Sequence, residues 1–261
     1  MQRMSMDGAG NVDRWQNRHF VMSRRNRLRG KIGLFSIAVL LFVCKASYPQ
    51  TTISNVPSTD IFDKSSLYLE LDFITKPVPM RKEGYLTDGV RAVYGLDEKT
   101  EIGANFYYTH DSDGFLRELQ IDAKRSLYKN DRKGTAVAIG FLASLPVRDT
   151  RGTKRYMLVY SDASKTLQQL HGMRITGGIY AVVGGGGDFG TKAGFVTGIE
   201  QPINRRWSIQ ADWFTGSNRL GYSAPGVNFN ISSKQSIFAG YNFGNTGRGN
   251  NLFSAYYSYT F

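Results

Sequence analysis

The sequence predicts an all-β fold: an antiparallel up-and-down transmembrane β-barrel of about 12 strands. Three observations predict it. From about residue 65 onward, the chain divides into runs of roughly ten residues in which apolar and polar side chains alternate. The connections between runs are compact and charged or polar in some places and longer and glycine-rich in others, and the two kinds take turns. A basic stretch followed by a twelve-residue apolar run precedes all of this, as in an exported protein.

In chain order the leader comes first. Arg24, Arg25, Arg27, Arg29 and Lys31 form a basic region and Ile32 to Val43 an apolar one. That run suits a secretory signal and is too short to cross a bilayer as a helix. Cleavage after Ala46 or Gln50 fits equally well, and Met22 is a better start for such a signal than Met1. Cys44 is the only cysteine and follows Val43, so it lacks the small preceding residue of a lipoprotein signal and falls in the removed segment. The expected organisation is an extended N-terminus and signal peptide over 1–50, a short periplasmic lead-in over 51–64 and an outer-membrane barrel over 65–261.

The formal charge of +12 invites a nucleic-acid reading until it is located. Residues 1–50 hold nine Lys/Arg and two Asp/Glu, leaving 24 basic and 19 acidic residues spread over 51–261. The basic character belongs mostly to the leader, and no nucleic-acid partner is expected.

Strands are expected near 66–76, 84–95, 100–110, 115–127, 134–146, 153–162, 171–183, 190–202, 206–215, 222–231, 235–244 and 251–261. In the third, Ile102, Ala104, Phe106 and Tyr108 alternate with Glu101, Gly103, Asn105 and Tyr107. In the fifth, Val137, Ile139, Phe141, Ala143 and Leu145 alternate with Ala136, Ala138, Gly140 and Ser144. In the ninth, Trp207, Ile209, Ala211 and Trp213 alternate with Ser208, Gln210 and Asp212. The last has Phe253, Ala255, Tyr257, Tyr259 and Phe261 on one face and Ser254, Tyr256, Ser258 and Thr260 on the other. Tight connections fall at Leu96–Lys99, Lys129–Lys133, Asn204-Arg205 and Ser232–Lys234, and loose ones at Pro146–Gly152, Val183–Gly190, Gly216–Gly221 and Gly244–Asn250. A soluble sandwich or lipocalin-like barrel also alternates. The leader, the aromatic last strand and an apolar face that persists through every run favour the membrane barrel. Counts of ten or fourteen strands stay open.

If Phe261 faces lipid, alternation assigns the interior. The lumen-lining candidates are Glu70, Asp72, Arg91, Glu101, Glu118, Asp122, Lys124, Arg174, Lys192, Glu200 and Asp212. Charges at the middle of the hydrocarbon cost a few kcal/mol, so they gather inside. They either line a selective channel for polar or anionic solutes or pair across a narrow lumen and fill it. Tyr257, Tyr259 and Phe261 resemble the last-strand signal through which bacterial barrels engage the barrel-assembly machinery.

Several phrases resemble a known family. Ala92 to Ala104 reads as strand, short acidic turn and strand. Gly198-Ile199-Glu200-Gln201-Pro202, Ala211 to Gly216, Gly221 to Val227 and Ala239 to Asn245 follow. Together they resemble outer-membrane proteins of the meta-pathway phenol-degradation type. That resemblance implies a barrel in contact with outer-membrane lipids that passes small, often aromatic, solutes. A closed barrel with a binding or structural role is the alternative.

His110-Asp111-Ser112-Asp113-Gly114 resembles the His-x-Ser-x-Gly of outer-membrane phospholipase A, and alternation puts His110 and Ser112 on one face. The Asn that family carries about a dozen residues later is absent, with Lys124 and Arg125 in that region, and a polar loop explains the motif without chemistry. No enzyme activity is expected. Gly184 to Lys192 lacks the order of a phosphate-binding loop, and beyond the leader only His110 and His171 could serve a transition metal. No cofactor or metal is expected, and the Asn230-Ile231-Ser232 sequon carries no weight in a bacterial export context.

Overall fold

A computed structural model describes residues 50–112, 114–148 and 154–261, without the side chains of Arg148, Asp188 and Arg248. The leader expected over 1–50 lies outside the described residues except for Gln50. Among the described residues, twelve antiparallel strands close into one barrel. They are β1 (Leu67–Lys76), β2 (Tyr85–Asp97), β3 (Thr100–Asp111), β4 (Gly114–Asn130), β5 (Thr135–Arg148), β6 (Tyr156–Leu167), β7 (Met173–Gly184), β8 (Ala193–Pro202), β9 (Trp207–Phe214), β10 (Tyr222–Asn230), β11 (Gln235–Gly244) and β12 (Leu252–Thr260). Each pairs with its sequence neighbours, and β1 closes the ring on β12, with Tyr68 opposite Thr260 and Thr75 opposite Phe253. No strand edge is left to pair with another chain.

The two faces follow the pleat. Leu71, Val90, Phe106, Ile139, Ile179, Phe195 and Ile237 stand exposed on the outside, and Ile179 and Phe195 are 59% and 64% exposed. Such a belt is unfavourable in water and favourable in hydrocarbon. Outward aromatics gather near its two ends. Tyr94, Tyr128, Trp207, Tyr257, Tyr259 and Phe261 mark the end carrying the short connections, and Phe115, Trp213, Tyr241, Phe243 and Phe253 the other. In outer-membrane barrels short turns lie on the periplasmic side and longer loops on the external side, and the two ends of this barrel take those names.

Two strands run longer than the alternation predicts. β4 continues to Asn130 and turns over 131–134, with bulges at Arg117/Glu118 and Ser126/Tyr128. β6 continues past Asp162 to Leu167, pairing through Thr166 opposite Arg174. Its outward residues there, Ala163 and Lys165, extend below the hydrocarbon belt, so the apolar signal fades before the strand ends.

Of the stretch expected as a lead-in, 51–64, residues 51–62 run inside the barrel. This segment enters at the periplasmic end, turns back on itself and leaves into β1. Ile53 N–H donates to Val56 O at 2.8 Å and Ser58 N–H to Thr51 O at 3.0 Å, with Thr52 bridged to Pro57. Ile53 and Val56 join an apolar cluster with Tyr156, Leu158, Tyr160, Tyr180, Val196 and Phe214, and Phe62 stacks on Tyr68 at 4.8 Å. Gly198 makes this seat possible: a Cβ there would stand 2.3 Å from Ile53 Cδ1.

Candidate functional site

The interior is the candidate site. Ten of the eleven lumen candidates lie inside the wall: Glu70, Asp72, Arg91, Glu101, Glu118, Asp122, Lys124, Arg174 and Asp212 are buried and Glu200 nearly so. Lys192 does not. It precedes β8 in the external connection, exposed to solvent, because the pairing of β7 with β8 begins only at Ala181 opposite Ala193.

Half of these ten charges hold the internal segment, which strand alternation does not reveal. Asp212 Oδ2 accepts the N–H groups of Ser54, Asn55 and Val56 at 2.8, 2.6 and 2.7 Å, and Gln210 Nε2 donates to Ile53 O. Glu101 accepts the Thr51 hydroxyl at 3.0 Å on one oxygen and the Phe62 N–H at 2.9 Å on the other. Lys124 Nζ stands 3.0 Å from Glu101 Oε1 and donates to Thr51 O at 3.2 Å. Arg174 joins the segment to the wall, meeting Asp60 at 2.6 Å and Glu200 at 2.6 and 2.8 Å. The charges therefore satisfy the backbone of the plug as well as one another, and the N–H groups of its turn each find an acceptor.

The outer end is narrowed by the loop between β9 and β10. Arg219 reaches Glu118 at 2.9 Å and lies 5.2 Å over the Tyr156 ring, and Asn55 Nδ2 donates to Leu220 O at 3.4 Å. Plug and loop thus meet inside the barrel.

Beside them remains a cavity of about 430 Å³, running from Tyr85 and Asp111 at the outer ends of β2 and β3 down to Thr51 and Ser54 of the plug. Two glycines shape its β1–β4 wall. A Cβ on Gly103 would meet the Asp122 carboxylate at 2.6 Å, and one on Gly89 the Tyr107 ring at 2.4 Å. Without them, neither side chain could lie flat across the neighbouring strand. Tyr107 in turn donates its hydroxyl to Asp72 Oδ2 at 2.8 Å.

The His-x-Ser-x-Gly stretch sits elsewhere. His110 falls on the outward side of the β3 alternation and stacks on Phe115 at 4.5 Å, whereas Asp111 lines the cavity. Asp113 lies outside the described residues. Among the described residues, no group of three or more His, Cys, Asp or Glu side chains is placed to hold a metal.

Neither a family model nor a curated protein matches the chain. Solved structures do. The KdgM porin matches with a TM-score of 0.53 at 6% identity, over 74% of this chain and 99% of that one. The same porin in complex with disordered oligogalacturonate matches with a TM-score of 0.54 at 6% identity, over 75% and 99%. An outer membrane channel from Pseudomonas putida F1 matches with a TM-score of 0.49 at 10% identity, over 84% and 100%. The fold is that of an outer-membrane β-barrel. At these identities the likeness extends to the fold alone, and the chemistry has to come from the interior described above.

Proposed function

We propose that the protein is an outer-membrane channel or transporter that takes a small solute from outside into the lumen and passes it on when residues 50–63 give way. The observation that carries this reading is the cavity, bounded by the external strand ends above and by the plug below. A barrel serving only as a scaffold has no need of such a vestibule, and packing the space with side chains would stabilise it. The resemblance of the strand phrases to the phenol-degradation group supports a small aromatic cargo. An anionic cargo fits less well, because five carboxylates (Glu70, Asp72, Asp111, Glu118, Asp122) and two guanidiniums (Arg91, Arg219) line the cavity. Export through a cleaved leader, and insertion by the barrel-assembly machinery through the aromatic face of β12, belong to the same proposal. We assign no catalytic chemistry to the barrel.

The hydrogen bonds that seat the plug favour one alternative, a permanently closed barrel whose cavity only binds. Conductance in planar bilayers separates the two. The refolded chain is expected to show small or rare currents and a chain lacking residues 50–63 large, steady ones. An ion-tight barrel after that deletion, with heat-modifiable migration intact, would exclude passage.

A further inference from the structure

The cavity wall has a chemical bias that charge counting alone does not convey. Two of its carboxylates are balanced, Glu70 by Arg91 at 3.7 Å and Glu118 by Arg219 at 2.9 Å. Asp72 and Asp122 take part in no described ion pair within 4.0 Å, and Arg91 attracts both from farther off. Around them, six buried polar atoms of the lining have no hydrogen-bond partner among the described residues: Asp72 Oδ1, Asp122 Oδ2, Asn105 Oδ1 and Asn242 Oδ1, together with Ser54 Oγ and Arg91 Nε. They belong to residues only 2–8% exposed. Four of the six can only accept, against one donor in Arg91 Nε and a Ser54 hydroxyl that does either. Two of the four are amide carbonyl oxygens whose residues carry no charge, so the bias toward acceptors does not rest on the carboxylates alone.

On the other half of the circumference the lining changes character. Leu142 of β5, Leu158 and Tyr160 of β6, Phe214 of β9 and Leu220 of the inturned loop supply an apolar and aromatic surface. One side of the cavity therefore asks for hydrogen-bond donors and positive charge, and the other for an apolar body. Anions meet unsatisfied acceptors at short range, which is the costliest arrangement in a site shielded from water. An inorganic cation leaves the apolar side unused.

We infer that the cavity is a binding site for a small organic cation: an ammonium group on the acceptor-rich side that Asp72, Asp122, Asn105 and Asn242 line, with an aromatic or alkyl body against β5, β6 and β9. This names the solute class of the proposed channel and rests on that reading for its physiological sense, although binding itself does not require passage. A charge-assisted bond from an ammonium to a carboxylate is the strong kind. The aromatic walls add cation–π attraction and apolar contact.

The test uses the full chain refolded in lipid nanodiscs and three probes of one shape: 2-phenylethylammonium, 2-phenylethanol and phenylacetate. Calorimetric titration is expected to rank the ammonium at least about tenfold tighter than phenylacetate, with the alcohol between. In the double variant Asp72→Asn, Asp122→Asn, the ammonium is expected to lose at least about tenfold and the alcohol little. Phenylacetate binding as tightly as the ammonium, no binding of any probe, or an unchanged preference in the double variant would overturn the assignment. Should the double variant not fold, the ranking in the unmodified protein decides by itself. Efflux of the same probes from liposomes keeps the two readings apart. A barrel that binds the ammonium yet releases none, even without residues 50–63, removes passage and leaves the site. Release of all three at equal rates removes the site and leaves passage.

Discussion

Asp212 shows how much one side chain can decide. Its Oδ2 accepts three consecutive N–H groups from the turn of the plug, at 2.6 to 2.8 Å. A turn between two short extended stretches leaves such groups without backbone partners, and burying them unpaired costs about 1–3 kcal/mol each. Replacing Asp212 with Ala removes the acceptor of all three at once. Water drawn into the lumen recovers part of the loss, so the barrel itself is expected to stay folded. Amide hydrogen exchange over Ser54 to Val56 is expected to accelerate at least about tenfold, and exchange in β1 and β12 to stay as it was. Unchanged exchange at the turn would mean that the apolar seat of Ile53 and Val56 holds the segment unaided. Substituting Gly198 with Val probes that seat directly, because its Cβ would stand 2.3 Å from Ile53 Cδ1. The expected outcome is displacement of the plug and a rise in single-channel conductance.

At the scale of elements, the barrel and its plug were unequally legible. Period-two alternation located all twelve strands because lipid and lumen impose opposite demands on successive side chains. It misjudged β6 where Lys165 lies beyond the hydrocarbon, since the demand lapses there. The plug escaped because its burial is not periodic: Ile53, Val56 and Phe62 are separated by Ser, Asn, Pro and Thr in a segment with the composition of a linker. The charges facing it sit on the inward side of the alternation, but nothing in a strand pattern says what they face. One trace was available, in that Asp212 and Glu101 have no opposite charge at the paired position of one adjacent strand, facing Ala224 and Gly95. Arg174 is one of the links between plug and wall, bridging Asp60 and Glu200. Substituting Asp60 with Asn keeps the shape and removes one charge, leaving Arg174 paired with Glu200. The plug is then expected to open more often while the barrel melts as before, read as more frequent opening events without any change in heat-modifiable migration. An equal loss of barrel stability would show that the plug is part of the folding unit and not a separable gate.

For the whole molecule, stability rests on closure and on the match between the outer belt and the bilayer. Every strand pairs on both sides, so the backbone is satisfied wherever lipid surrounds it, and no edge invites a second chain. The interior contributes less simply, since its ion pairs cost desolvation and a polar lumen gives little hydrophobic gain. The belt therefore carries the depth information. Ile179, 59% exposed and midway along β7, lies where an added charge meets hydrocarbon on all sides. Ile203, 41% exposed, follows β8 in the short periplasmic connection, where a charge reaches the interface. Ile179→Arg is expected to cost about 2–4 kcal/mol, and Ile203→Arg about 0–1 kcal/mol. Both can be read from reversible unfolding in lipid vesicles followed by tryptophan fluorescence, with Trp207 and Trp213 as outward reporters. In a barrel folded for water the ordering would vanish, because an exposed arginine at either place is well solvated. Equal and small costs at the two positions would thus remove the membrane assignment, and with it the orientation that makes the cavity an entrance.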